Sequence, residues 1–153
     1  MNGETWEQTR NKSLLQLLFR AARVWDELAV ARMRSQPGLG GLRTAHTRLF
    51  PHIDLSGTRL VDLAQRLGVT KQAVAPLVDE LVAMGVLERV ADPADGRARL
   101  LRFVGGEEGL RRGLAHLGAL EAEVVRHLGP VATLHRDLLA LHDLGVSLSG
   151  EPE

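Results

Sequence analysis

Four hydrogen-bonding side chains fall in two short runs: Lys71 and Gln72 directly after Thr70, and Arg97 followed by Arg99. A glutamine amide can pair bidentately with adenine, and an ammonium meets a phosphate or a guanine. Guanidinium groups suit narrow, electronegative minor grooves. The chemistry on offer is recognition of double-stranded DNA, with no bond made or broken. Thr70 is suited to cap a helix start, where oriented N–H groups favour phosphate. Ala75 and Pro76 add surface for thymine methyls and no hydrogen bond, so the reading face is sparsely polar and the arginines gain weight. Pro76 also lacks an N–H for the Gln72 carbonyl and disfavours helical geometry at Ala75, a cost of roughly 3 kcal/mol. The expectation is a kink that re-aims Lys71 and Gln72; the alternative is a displaced first turn.

The surrounding spacing supplies elements to position these groups. Leu60 to Leu81 has the pattern of a helix-turn-helix. Ala64 is the small residue where two steeply crossing helices touch, and Gly68 tolerates the positive φ of the turn. Val74, Leu77 and Leu81 recur at helical spacing and turn inward, leaving Lys71, Gln72, Ala75, Pro76 and Asp79 outward. The first helix starts near Val61 without a good N-cap. Val86 to Ala91 reads as a strand, Asp92-Pro93-Ala94-Asp95-Gly96 as a turn, and Arg97 to Val104 as the returning strand. Leu101 and Phe103 share one face there, with Arg97 and Arg99 nearer the tip. A β-hairpin set directly after a recognition helix is a winged helix. Asp95 is placed to orient Arg97, and Asp54 to Arg59 to pair briefly with the wing.

From about Leu42 to Leu117 the chain resembles the MarR family of bacterial transcriptional regulators. The runs that carry the likeness are Leu63-Ala64-Gln65-Arg66-Leu67-Gly68-Val69-Thr70, Leu77-Val78-Asp79-Glu80-Leu81, Gly85-Val86-Leu87-Glu88-Arg89 and Asp92-Pro93-Ala94-Asp95-Gly96-Arg97. The resemblance implies a homodimeric winged-helix protein on a pseudo-palindromic operator, often a repressor released by a small ligand. A small aromatic or anionic molecule would sit between the terminal helices and the winged unit, with Trp25, Arg43 and His46 as candidate contacts.

Long helices flank this segment. One runs from Thr9 onward with Leu14, Leu18, Ala21, Trp25 and Leu28 on a stripe, and a shorter one from Leu42 or Arg43 to Phe50. A second long helix spans Glu107 to Leu128, ended by Gly129-Pro130, and a third carries Val131, Leu134, Leu138 and Leu141. These narrow leucine-rich seams exceed what one winged helix can cover, which points to a homodimer. The fold class is mainly α with a small β-hairpin. Residues 1–153 read as a single domain: amino-terminal helices over 9–57, the winged helix-turn-helix over 58–104 and dimerisation helices over 105–148. Two-fold symmetry sets the recognition helices roughly 34 Å apart, one turn of B-DNA.

Composition excludes several classes. The net charge is zero, yet residues 1–57 hold 8 Lys/Arg against 5 Asp/Glu, 58–102 hold 7 against 6, and 103–153 hold 4 against 8. Binding therefore rests on placed phosphate contacts rather than on a broad basic field. The absence of cysteine excludes disulfides, zinc–thiolate sites and thiol-based peroxide sensing. No apolar run suits a membrane span and no signal segment opens the chain, so a cytoplasmic location is expected. The histidine pairs His116/His127 and His135/His142 lack chelating helical spacing, so no metal is expected. No Gly-x-Ser-x-Gly run is present, and the Gly105 to Gly109 glycines lack a nucleotide-site context, so neither an enzyme nor a cofactor is expected. The competing reading is a winged-helix dimer that serves as a protein-interaction scaffold without specific DNA binding.

Overall fold

The computed structural model describes Trp6 and residues 12–150. Ser13 opens the first long helix, α1 (Leu14–Met33), by accepting the Gln16 N–H at 3.4 Å. Thr9, where periodicity places that start, lies outside the described residues. Of the 20 residues in α1 only Val30 is buried, and Leu14, Phe19 and Trp25 are exposed. The expected helix from Leu42 or Arg43 to Phe50 is instead α2 (Thr44–Thr47) followed by a 3-10 turn over Phe50–His52. Backbone bonds from Leu49 to His46, His52 to Leu49 and Ile53 to Phe50 tighten this stretch, and Pro51 contributes no N–H to continue an α-helical ladder.

The winged unit follows in order: β1 (Thr58–Arg59), α3 (Leu60–Arg66), α4 (Lys71–Ala83), β2 (Leu87–Asp92) and β3 (Asp95–Phe103). Ala64 is buried and its carbonyl accepts the Val69 N–H at 3.0 Å, while Gly68 takes φ 65° at the turn. Small size at one position and left-handed backbone at the other produce the expected helix crossing. Helix α3 begins at Leu60 with no side-chain cap. The hairpin is tighter than the sequence suggests: Asp92 faces Asp95 across Pro93-Ala94, with a register irregularity at Ala91/Asp92. It also gains a third strand, because Thr58 and Arg59 pair antiparallel with Leu101 and Leu100 to give the order β1-β3-β2. The core joins Leu42, Leu49 and Ile53 to Leu63, Val74, Val78, Leu81, Leu87, Leu101 and Phe103. Phe50 meets Phe103 edge-on at 5.7 Å.

Helix α5 (Gly106–Ala115) ends where one helix was expected to continue to Leu128. His116 and Leu117 bond back to Gly113 and Leu114, a 3-10 closure of the last turn. The chain forms two compact units, the first ending at Leu117 and the second beginning at Gly118. The second holds α6 (Gly118–Leu128) and α7 (Ala132–Ser149), separated by Gly129, at φ 78°, and Pro130. No residue of α7 is buried, and Leu134, Leu138, Leu139, Leu144 and Leu148 are exposed. Among the described residues no helix is long and apolar enough to cross a membrane.

Glycine at 109 is dictated by packing, since a Cβ there would overlap the Val104 carbonyl at the end of the wing. Gly109→Ala should lower stability by about 1–3 kcal/mol, the usual cost of overpacking, read as a reduced urea midpoint. An unchanged midpoint would show that α5 is free to slide off the sheet.

Candidate nucleic-acid interface

Thr70 caps α4 through its hydroxyl, which accepts the Ala73 N–H at 3.2 Å. The helix then runs unbroken through Pro76 to Ala83, so its first turn is in place. Val74, Val78 and Leu81 are buried beneath it. Lys71, Gln72, Pro76 and Asp79 are exposed and Ala75 is half-buried. Arg97 and Arg99 are exposed on the wing. Asp95 accepts the Arg97 backbone N–H at 3.1 Å, so it shapes the tip rather than holding the Arg97 guanidinium.

Ion pairing divides the cations of this unit into two sets. Arg66 pairs with Asp54 at 2.8 Å, Arg89 with Asp79 at 2.6 Å, and Arg102 with its cross-strand neighbour Glu88 at 2.8 Å. Arg59 places Nε 2.7 Å from Asp92 and reaches Asp95 at 3.8 Å. Among the described residues, Lys71, Arg97 and Arg99 have no carboxylate within ion-pair distance of their side chains. The positive charge left over therefore lies on the cap of α4 and on the wing.

Two of these pairs hold the reading elements in place. Asp92, buried at the end of β2 beside the wing tip, accepts the Ala94 N–H at 2.8 Å as well as the Arg59 fork. The Ala94 bond first, then Arg59, keeps its carboxyl below the ordinary range. Arg89 reaches from β2 to neutralise Asp79, an acid on the outward face of α4 that would otherwise repel phosphate. Neither pair was foreseen in the sequence. An acid on the outward face of α4 was the available signal, with Arg89 ten residues along the chain.

The three residues expected to line a ligand pocket do not do so together. A cavity of about 510 Å³ lies between α1, the end of α4, the roots of both wing strands and α5. Asp26, Met33, Met84, Phe103, Arg112 and Leu114 are among its walls, whereas Trp25, Arg43 and His46 are not. Trp25 is 44% exposed on α1. His46 is wholly buried: Nδ1 accepts the Arg43 N–H and Nε2 lies 3.0 Å from Glu80. Arg43 also pairs with Glu80. The Arg43 hydrogen bond is the main reason that the Glu80 carboxyl stays below its usual range, with His46 adding to it. Periodicity cannot reveal this cluster, because Glu80 lies 34 residues from His46.

Residues 41–98 match the model of the MarR family. That segment, which holds most of the winged helix, is similar to the MarR family. Apo MarR from E. coli superposes with a TM-score of 0.61 at 23% identity, over 84% of this chain and 96% of that one. CouR from Rhodococcus jostii, solved with p-coumaroyl-CoA, gives 0.60 at 23% over 94% and 96%. The Mycobacterium tuberculosis regulator MosR, solved with DNA, gives 0.56 at 20% over 90% and 98%. At these identities the likeness is one of fold. No curated protein matches the chain. Thr70 and the residues to Asp79 form the cap and start of α4, the second helix of the helix-turn-helix, and Arg97 and Arg99 lie on the wing.

The carboxyls of Asp54, Glu80 and Asp92 are all held below the ordinary carboxylate range. For Asp54 the leading cause is its hydrogen bond from Arg66. A depressed carboxyl stabilises the fold fully above its unfolded pKa and loses that contribution as pH falls through the folded one. Asp92→Asn should therefore flatten the loss of unfolding free energy that wild type shows below about pH 4. Superimposable acid limbs for the two proteins would mean that Asp92 is no more strongly held folded than unfolded.

Proposed function

We propose that this chain is a sequence-selective, DNA-binding transcriptional repressor that acts in the cytoplasm as a homodimer on a pseudo-palindromic operator. The observation that carries the reading is the charge partition: the other arginines of the winged unit are matched by carboxylates, while Lys71, Arg97 and Arg99 stay open. Gln72 reads a base edge, Lys71 meets phosphate or guanine, Ala75 and Pro76 touch thymine methyls, and the wing arginines enter the minor groove. The Thr70 cap directs backbone N–H groups at phosphate. A second copy would cover α1, which exposes Leu14, Leu15, Leu17 and Phe19 and buries only Val30. Two copies would then bring both recognition helices to successive major grooves.

A small aromatic or anionic ligand fits the cavity better than it fits the residues first considered. Its floor includes Met33, Met84, Phe103 and Leu114, with Arg112 and His116 available to an acidic group. Met84 is the C-cap of the recognition helix and Phe103 ends the last wing strand. Filling this space would bear on both reading elements at once, a route by which a ligand releases DNA.

Mobility shifts with DNA from upstream of the chain's own gene, at low and physiological salt, test the reading. Selective retardation is expected; equal, weak retardation of all DNA would favour the protein-interaction scaffold. Arg97→Ala should weaken binding uniformly across sequences and flatten the salt slope by ~0.9, one phosphate equivalent. Gln72→Ala should instead relax preference at one base pair by about 1–3 kcal/mol. A slope unmoved by Arg97→Ala would take that side chain out of the interface.

A further inference from the structure

His46 is a wholly buried ionisable ring that the DNA-reading face does not use, and each of its nitrogens is committed. Nδ1 accepts the Arg43 backbone N–H at 3.0 Å, closing the cap of α2. The proton of the neutral ring therefore sits on Nε2, which donates to Glu80 Oε2 at 3.0 Å. Glu80 belongs to α4, the helix that carries Lys71 and Gln72. Thr47, one residue on, donates to Asp26 of α1 at 2.8 Å, so polar bonds connect α1 to α2 and α2 to α4.

We propose that His46 is a positioning residue for DNA reading: its neutral ring holds the first turn of α2 closed while bonded to Glu80 of the recognition helix, and protonation opens that turn and weakens DNA binding. The inference rests on the DNA-binding reading above. An imidazolium donates from both nitrogens and accepts from neither, so the added Nδ1 proton would confront the Arg43 N–H and abolish the cap. The charged groups against the ring are Glu80 from α4 and Arg43 at the start of its own helix. Glu80 favours the imidazolium, while the Arg43 guanidinium on the same carboxylate opposes it. From α1, Asp26 is engaged by Thr47 instead. Histidine is the side chain whose ordinary titration falls between about pH 5 and 8, well above the range of the paired carboxylates.

Two substitutions dissect the ring. His46→Asn retains an acceptor near the Nδ1 position, His46→Gln retains a donor near the Nε2 position, and neither titrates. At fixed salt, wild-type affinity for its selected DNA should fall about tenfold from pH 8 to pH 5.5, the scale of one buried hydrogen bond. Both variants should hold level or gain over that range, because the other histidines acquire positive charge. Variants that lose affinity in parallel with wild type, or a wild type that does not weaken, would overturn the proposal. Imidazole nitrogen shifts and amide exchange of the wild type decide it without DNA and without reliance on a substituted core. The Nε2–H tautomer at pH 8, with the Arg43 amide losing protection at pH 5.5, supports the role; the Nδ1–H tautomer, or unchanged protection, refutes it. A wild type that selects no DNA at pH 8 would refute the DNA-binding reading, leaving these two measurements to judge the ring.

Discussion

The burial of Val74, Val78 and Leu81 against Leu63, Leu87 and Leu101 sets the rotation of α4 about its own axis. A helix turns its side chains through 100° per residue, so fixing three inward positions fixes the outward ones. Lys71, Gln72, Pro76 and Asp79 reach solvent because the apolar stripe points the other way. The cap at Thr70, the pairing of Asp79 and the bond to Glu80 all take their positions from that rotation. A slip of one residue in this packing would carry Val74 or Val78 outward and turn the polar set into the core.

Upon that packing rests a distribution of charge that the bulk composition conceals. The chain has 19 basic and 19 acidic residues, and a neutral protein gains little from long-range attraction to a polyanion. Local pairing resolves the difficulty. Carboxylates from the loop before β1, from α4 and from both wing strands absorb Arg66, Arg89, Arg102 and Arg59. Most of these pairs are partly exposed, so each adds little stability. Their larger effect is geometric: the Asp92–Arg59 contact anchors the wing to the segment that starts α3, and Asp79–Arg89 anchors α4 to β2. The cations without partners keep their freedom to meet phosphate.

The cavity and the reading elements share structure. Met84, Val86, Phe103 and Val104 flank or end α4 and the two wing strands, and the same residues wall the space beside α1 and α5. Met33 and Met84 both pack against the core from this side, and flexible thioethers suit a boundary whose shape depends on what fills it. Through Thr47 and Asp26 the cavity wall also adjoins α2, which carries the buried imidazole. Cavity, α2 cap and α4 are thus neighbours within one unit.

Much of this was legible from local pattern alone. The α3–α4 crossing at Ala64 and Gly68, the Thr70 cap, the inward face of α4 and the exposed wing arginines follow from residue size, φ tolerance and 3.6-residue spacing, which act over a few positions. Boundaries set by competition were less accessible: the break after Ala115, the 3-10 turn at Pro51 and the two-residue wing tip each depend on hydrogen bonds that a periodic stripe does not encode. Only the tertiary structure decided that Trp25, Arg43 and His46 are not cavity walls, that Arg59 braces the wing, and that His46 is buried against Glu80. The last two outcomes join residues 33 and 34 positions apart, where chain folding and not local sequence determines which charges meet.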